Sequence, residues 1–470
     1  MAEQIQIWEN DPASSGLISA AKPNIKRLPF RYTFPPPALA PDPDTTTPNF
    51  RYWNAAEALR RGADFWGPAV PDQQWFGGPD LEVRLNVGIR WNANYDRRAL
   101  NFYRGQLGPG SFVYAAGSAD MLCHELGHAI LDAVQPQLWN SGNAEAVAFH
   151  ESFGDVSAIL CALQIETMRN FILTSTNGNI YCNSRLSRIA EQFGTALHAI
   201  FPDDADQDCL RNAWNPFCYA PPASLPPMGP SSILTARSHS FSRVFTGAVF
   251  EALAGMLAVH PPATPDRLRD VTFEMRDIMI EAVRSALVVP QYYASVAAKM
   301  MLAAAARNEA YRAVFRDAFV GRLILSLEVA ANILSSPTAD EDTGVAGEVA
   351  RHTDRPTFGV LPSSHYGLDQ PLHIELPADP VGTAARSATR DGKSIAPLNV
   401  EEAAMTFVDR LFMRGRVDYG EFGGKDHKGD KASKNPSRGD STHRLELVDD
   451  QLCLRRIRIC CGQCTALRGS

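Results

Sequence analysis

Apolar positions alternate in the early part of this chain and recur every three or four residues further on. Leu81–Trp91 alternates as a strand does, and Phe112–Tyr114 predicts another. From Ser118 the period becomes helical. Ser118 is placed as an N-cap, Asp120 falls in the first turn, and Leu122, Leu126, Ala129 and Ala133 form one stripe that Pro136 ends. Further helices are expected from about Ala144 to Leu163, from a cap at Ser238 to Ala258, from Pro265 to Val288, from Tyr292 to Ala306 and from Glu309 to about Ile324. Strands followed by helices predict an α+β fold.

The flanks read differently. Residues 1–80 are rich in proline and predict an irregular arm wrapped on a domain spanning 81–330. Residues 331–470 predict a loop-rich extension with a short helix from Val400 to Arg414. Within it, 423–442 is rich in Gly, Lys, Asp and Ser and reads as unstructured, and Leu445–Ile459 as a hairpin turning at Asp449–Asp450.

Composition narrows the function classes. With 470 residues, 45% of them hydrophobic, the chain can bury a large core. A net charge of −7 argues against a general nucleic-acid binder. Without a run of about 18 apolar residues, no membrane span is expected. The first ten residues carry neither a basic nor an apolar signal region, which predicts a cytoplasmic protein or one exported by a signal-peptide-independent machine. Nine cysteines, scattered and then clustered at 453, 460, 461 and 464, fit a reduced chain.

The chemistry concentrates in His124-Glu125-Leu126-Gly127-His128. On a helix, residues four apart share a face, so both imidazoles can grip one Zn2+ while Glu125 reaches a water on the ion. A catalytic zinc needs a third protein ligand. The next helix offers Glu151, with Asp155 four residues on, both embedded among Ala146, Val147, Ala148, Phe149 and Phe153. Carboxylates in so apolar a helix need partners: Glu151 as the third ligand, and Asp155 as acceptor of the free N–H of His124. Leu131 and Val134 stand where a metzincin carries Gly and His, which excludes that class. A glutamate 23 residues after His128 is the gluzincin arrangement.

On these residues the chain resembles the thermolysin-like zinc metallopeptidases. Asn92-Ala93-Asn94-Tyr95 is similar to their substrate-binding edge strand, Leu210-Arg211 to their S1′ leucine and carbonyl-binding arginine, and His239 to their oxyanion-stabilising histidine. The resemblance covers about 85–325 and implies a two-lobed catalytic domain, one catalytic zinc and a peptide or protein substrate. It further implies an endopeptidase in which Glu125 activates the zinc-bound water, with large apolar P1′ residues preferred if Leu210 and Met121 line that pocket. Trp139 stands where the family has an oxyanion-binding tyrosine, and either keeps that role through its indole N–H or packs. The aspartate that precedes the family's oxyanion histidine has no counterpart in Ile233–Ser238, and its leader and propeptide are missing. The acidic run Asp203-Asp204-Ala205-Asp206 reads as a solvated loop, with Ca2+ binding the alternative.

Two rival readings remain: a catalytically silent fold kept as a zinc-stabilised structural or binding module, and a delivered toxin protease with one dedicated target. His150 points about 100° away from Glu151 on a helix, so it reads as a core or surface residue. Cys123 reads as a small buried residue. The C-terminal cysteines read as free thiols or one disulfide, with a second zinc site the alternative.

Overall fold

Helix α2 (Ala119–Val134) is the axis of the molecule, buried at every residue from Ala119 to Asp132. The computed structural model describes residues 3–36, 40–72, 74–335, 356–380, 385–396, 398–422 and 441–461. Ser118 occupies the N-cap position with its backbone, but its hydroxyl makes no capping bond. Against α2 packs α3 (Ala144–Ala162), whose Asn143 side chain caps the Glu145 N–H. The two axes approach closely because glycine meets glycine: a Cβ on Gly127 would lie 2.9 Å from the Gly154 Cα.

Around this pair the helices follow the expected order. They are α6 (Ser238–Ala258), α7 (Pro265–Ser285), α8 (Tyr292–Arg307) and α9 (Glu309–Gly321), with α6 on α3 and α9 on α6. Three helices were not anticipated: α4 (Glu166–Ser175), α5 (Glu191–His198) and α10 (Leu327–Ser335). By length and composition α6 would suit a bilayer, but most of it is inside the core.

The first 80 residues depart from the expected arm. They contain the hairpin of β1 (Gln4–Trp8) and β2 (Leu17–Ala21), and then α1 (Pro48–Trp66), a helix of 19 residues. Thr47 caps α1 and Pro48 opens it, a start signal hidden by the surrounding prolines. Its small face, with Ala55, Ala58, Leu59 and Ala63, is buried against α2, so this segment is core rather than wrapping.

A mixed sheet lies beside α2. Its order is β16 (Ile459–Cys460), β5 (Ala93–Tyr95), β6 (Ala99–Phe102), β4 (Asp80–Arg84) and β3 (Arg31–Thr33). The strand expected over 81–91 thus stops at Arg84. Strand β5 is tied to α2 by Asp132, which accepts from the Tyr95 hydroxyl (3.0 Å) and from two Arg97 nitrogens (3.0 and 2.6 Å). Short pairs form β7 (Arg104–Gly108) with β8 (Ser111–Tyr114), and β9 (Arg188–Ile189) with β10 (Arg211–Asn212).

The C-terminal extension is also more ordered than expected. Strands β11 (Phe358–Leu361), β12 (Leu372–Glu375), β15 (Gln451–Arg456), β14 (His443–Val448) and β13 (Val417–Asp418) form a second five-stranded sheet in that order. Helix α11 (Val400–Met413) covers it around Leu372, Ala404, Phe407, Val408 and Leu454. The hairpin turns as anticipated, with Asp449 and Asp450 both at positive φ (50° and 63°). Of the stretch expected to be unstructured, 423–440 lies outside the described residues.

Glu145 locks α3 into this frame. Its buried carboxyl accepts from the Tyr219 hydroxyl (2.7 Å) and from the Tyr293 N–H at the start of α8 (2.9 Å). Burial outweighs these bonds and pushes its pKa from 4.5 up to about 7. The folded chain therefore holds this proton over a window in which the unfolded chain has released it. Stability from this group is full below 4.5 and is lost as pH rises through about 7. Glu145→Gln removes the titration, so its stability relative to wild type should rise by a few kcal/mol between pH 5 and pH 8. Urea unfolding at both pH values checks this; a gap that does not change with pH would refute it.

Candidate metal centre

One face of α2 and one turn of α3 bring His124, His128 and Glu151 together, as their spacings predict. A fourth residue joins them that no sequence argument placed there: Cys461, just past β16. One ligand atom from each of the four lies within 4.8 Å of all the others, and all four residues are buried. The indispensable signal for Cys461 is a contact 333 residues from its partner, His128 Nε2 to Cys461 Sγ at 3.1 Å.

The surroundings show which way these atoms are aimed. His124 Nδ1 lies 2.9 Å from Asp155 Oδ1, so its N–H donates there and Nε2 is left with its lone pair facing the cluster. Asp155 is held in turn by Arg211, whose Nε and Nη2 donate to it at 2.9 and 2.6 Å. Both Glu125 oxygens are buried without a hydrogen-bond partner, and His124 Nε2 faces Glu151 Oε2 at 3.5 Å without a well-formed hydrogen bond. Orphaned lone pairs in a water-excluded core are costly, and a cation among them removes the cost. Two imidazoles, a carboxylate and a thiol form a borderline-to-soft donor set that suits zinc. These residues fit a metal ion.

The electrostatics of the ion-free site point the same way. Burial pushes the Glu125 carboxyl up to about 8, against the opposing pull of His124. Burial pulls His128 down to about 3. For His124 burial also favours the neutral ring, but the hydrogen bonds to Asp155 and Glu151 overcome it and raise the ring to about 9. Burial and the neighbouring Glu125 charge drive the Cys461 thiol far up. Burial thus resists charge on Glu125, His128 and Cys461, whereas at Glu151 it is overcome by His239 and His124, which hold that carboxyl well below the usual range, so an ionised carboxylate stands ready among the four ligands.

The remaining predicted site residues divide. His239, in the first turn of α6, joins the cluster: Nε2 lies 3.2 Å from Glu151 Oε2 and 2.5 Å from the Cys460 carbonyl oxygen. Glu151 thus supplies the carboxylate partner that the sequence before His239 lacks. Ala93 opens β5 with Asn92 just before it, but β5 is not the expected edge strand: β16 pairs along its outer side, and the Cys461 N–H donates to the Ala93 carbonyl (3.0 Å). Leu210 is buried beside Arg211. Arg211, expected to bind a substrate carbonyl, instead serves Asp155 and through it His124.

Trp139 is not in the cluster. Its indole N–H donates to the Arg456 carbonyl (3.1 Å), and its ring packs edge-on against Tyr95. His150 is buried outside the ligand set, 5.7 Å from His128 between ring centroids. Cys123 is buried and free as expected. In the acidic run, Asp204 pairs with Arg237 (2.6 Å) and Asp206 accepts from the Asn212 N–H (3.1 Å), and among the described residues no second metal cluster forms there.

No protein-family model matches this sequence, and no curated protein matches it either. The functional reading therefore rests on the site itself.

Gly154 is the steric hinge of the site. A Cβ there would come within 2.7 to 2.8 Å of three His124 ring atoms. Alanine gains about 1 kcal/mol of helix propensity over glycine. Gly154→Ala should nevertheless lose metal affinity while keeping its helical circular dichroism, because the ring must move. Asp155→Asn should lower affinity by about 10- to 100-fold by removing the acceptor that orients His124. Metal titration against a competing chelator reads both; unchanged affinity in Gly154→Ala would contradict the packing argument.

Proposed function

We propose that this chain is a zinc-dependent endopeptidase of the gluzincin type, with a divergent thermolysin-like catalytic domain. The observation that carries the reading is Glu125: a buried carboxyl group with no hydrogen bond to either oxygen, in the same turn of helix as His124 and beside the candidate ligands. A structural metal site has no use for such a residue, whereas a hydrolase needs it as its base.

The chemistry a bound zinc supplies is twofold: it acidifies water and polarises the scissile carbonyl. The chain's residues supply the rest. With β16 displaced, strand β5 would offer its backbone to an extended peptide, which would add to the sheet in its place. Glu125 accepts a proton from the attacking water and returns it to the leaving amine. Burial makes this carboxylate a stronger base, which favours the first transfer, and the more basic leaving amine takes the proton in the second. His239 Nε2, already placed against a backbone carbonyl oxygen, donates to the oxyanion that develops there. Arg211 acts at one remove: it fixes Asp155, which fixes the tautomer and orientation of His124. A preference for large apolar P1′ residues accords with Leu210, which lines a cavity with Arg211, His239 and Cys461.

The second reading, a zinc-stabilised structural or binding module, draws on one observation. Four protein ligands, with Cys461 as the fourth, resemble the closed shell of a structural zinc more than the open shell of a catalytic one. The two readings separate at Glu125. Glu125→Gln should abolish cleavage in a peptide library while leaving one zinc bound per chain. Cleavage undiminished in that variant would remove the proposed base, and a loss of bound zinc would make Glu125 structural.

A further inference from the structure

The residues after the hairpin of the second sheet cross back into the metal centre. Strand β16 (Ile459–Cys460) pairs antiparallel with β5, matching Ile459 with Tyr95 and Cys460 with Asn94. The Cys461 N–H donates to the Ala93 carbonyl (3.0 Å). The Cys460 carbonyl oxygen sits on His239 Nε2 (2.5 Å), and the Cys461 sulfur enters the ligand cluster. Each contact uses a group that a peptide substrate would use: the strand edge, the oxyanion donor and the open coordination position. The segment also walls a cavity of about 100 Å³ lined by Glu151, His239, Phe407, Arg456, Arg458 and Cys460.

We propose that the C-terminal strand is an internal inhibitor, in which Ile459–Cys461 lies in the peptide-binding groove and the Cys461 thiolate fills the fourth coordination position of the metal. The proposal rests on the peptidase reading above. It also removes that reading's main difficulty, because a closed four-ligand shell becomes a latent state rather than a structural one.

The binding physics favours latency. A thiolate is a stronger zinc ligand than water, and in losing its proton to bind it neutralises one positive charge of the ion. The tethered strand competes at a high effective concentration, so a free peptide must displace it against that advantage. The strand is anchored just upstream by a reciprocal pair: Trp139 Nε1 donates to the Arg456 carbonyl (3.1 Å) and Arg456 Nε donates to the Trp139 carbonyl (2.5 Å). Release by hydrolysis elsewhere in the tail, by a thiol-directed reagent or by a competing partner would expose the same site.

The test uses the full chain with Co2+ in place of zinc. Wild type should show a near-ultraviolet thiolate-to-cobalt absorption band, and Cys461→Ala and Cys461→Ser should lose it with the ion retained. A leucine-containing peptide hydroxamate should perturb the visible cobalt spectrum of both variants at concentrations that leave wild type unchanged. With zinc, both variants should cleave a peptide library roughly a hundredfold or more faster than wild type, the scale of a tethered competitor. Absence of the band in wild type overturns the ligation without need of any variant. Equal hydroxamate binding by wild type and variants, or measurable cleavage at the same rate by all of them, overturns the inhibition. Hydroxamate binding gained without any cleavage leaves the occlusion standing and refutes the peptidase reading instead.

Discussion

Four ligand atoms within 4.8 Å of one another, none exposed to water, repel or orphan one another unless a cation sits among them. That constraint organises the structure around it. It requires α2 and α3 to approach closely, which the Gly127–Gly154 contact permits. It requires His124 to present Nε2 rather than Nδ1, which Asp155 secures and Arg211 reinforces from a different part of the chain. Glu145 and Asp132 then hold the two flanks, one tying α3 to the helical lobe and the other tying β5 to α2. Asp155, Glu145 and Asp132 are thus buried carboxyl groups whose partners serve to position the site.

What could be read from the sequence was local. The His124–His128 spacing, the i,i+4 relation of Glu151 and Asp155, and the period of α6 to α9 all follow from helical geometry, which acts over a few residues. The strand at Ala93 and the placement of His239 were legible through their order along the chain, but the expected edge is an interior position because β16 pairs beside it. The order of parts also carried the α+β class. Composition misled where it was averaged: the prolines around residue 40 concealed the Thr47–Pro48 helix start and the alanine face that buries α1. The second sheet was illegible for another reason. Its β12–β15 and β13–β14 pairings are parallel and join strands from distant parts of the chain, so no hairpin signal announces them.

Cys461 shows the limit most clearly. In the sequence it is one member of an irregular cysteine cluster, and spacing alone allows free thiols, a disulfide or a separate zinc site. Its position is decided by topology: the hairpin of β14 and β15 aims the chain back at the edge of the first sheet, and two further residues of strand reach the metal. A long-range ligand delivered by a strand leaves no local pattern, because the strand's own sequence needs only to pair.

The same topology accounts for Trp139. In the family that the site resembles, a tyrosine at this position gives its hydroxyl to the oxyanion. Here the indole N–H is given to the Arg456 carbonyl, while His239 is given to the Cys460 carbonyl. Both donors therefore hold backbone carbonyls of one short segment, four residues apart. An indole donates as well to a static carbonyl as to a developing oxyanion, but it cannot ionise and so keeps its hydrogen at any pH. On the proposed reading, a tryptophan here suits a standing grip on Arg456, and His239 is the donor left for a substrate carbonyl.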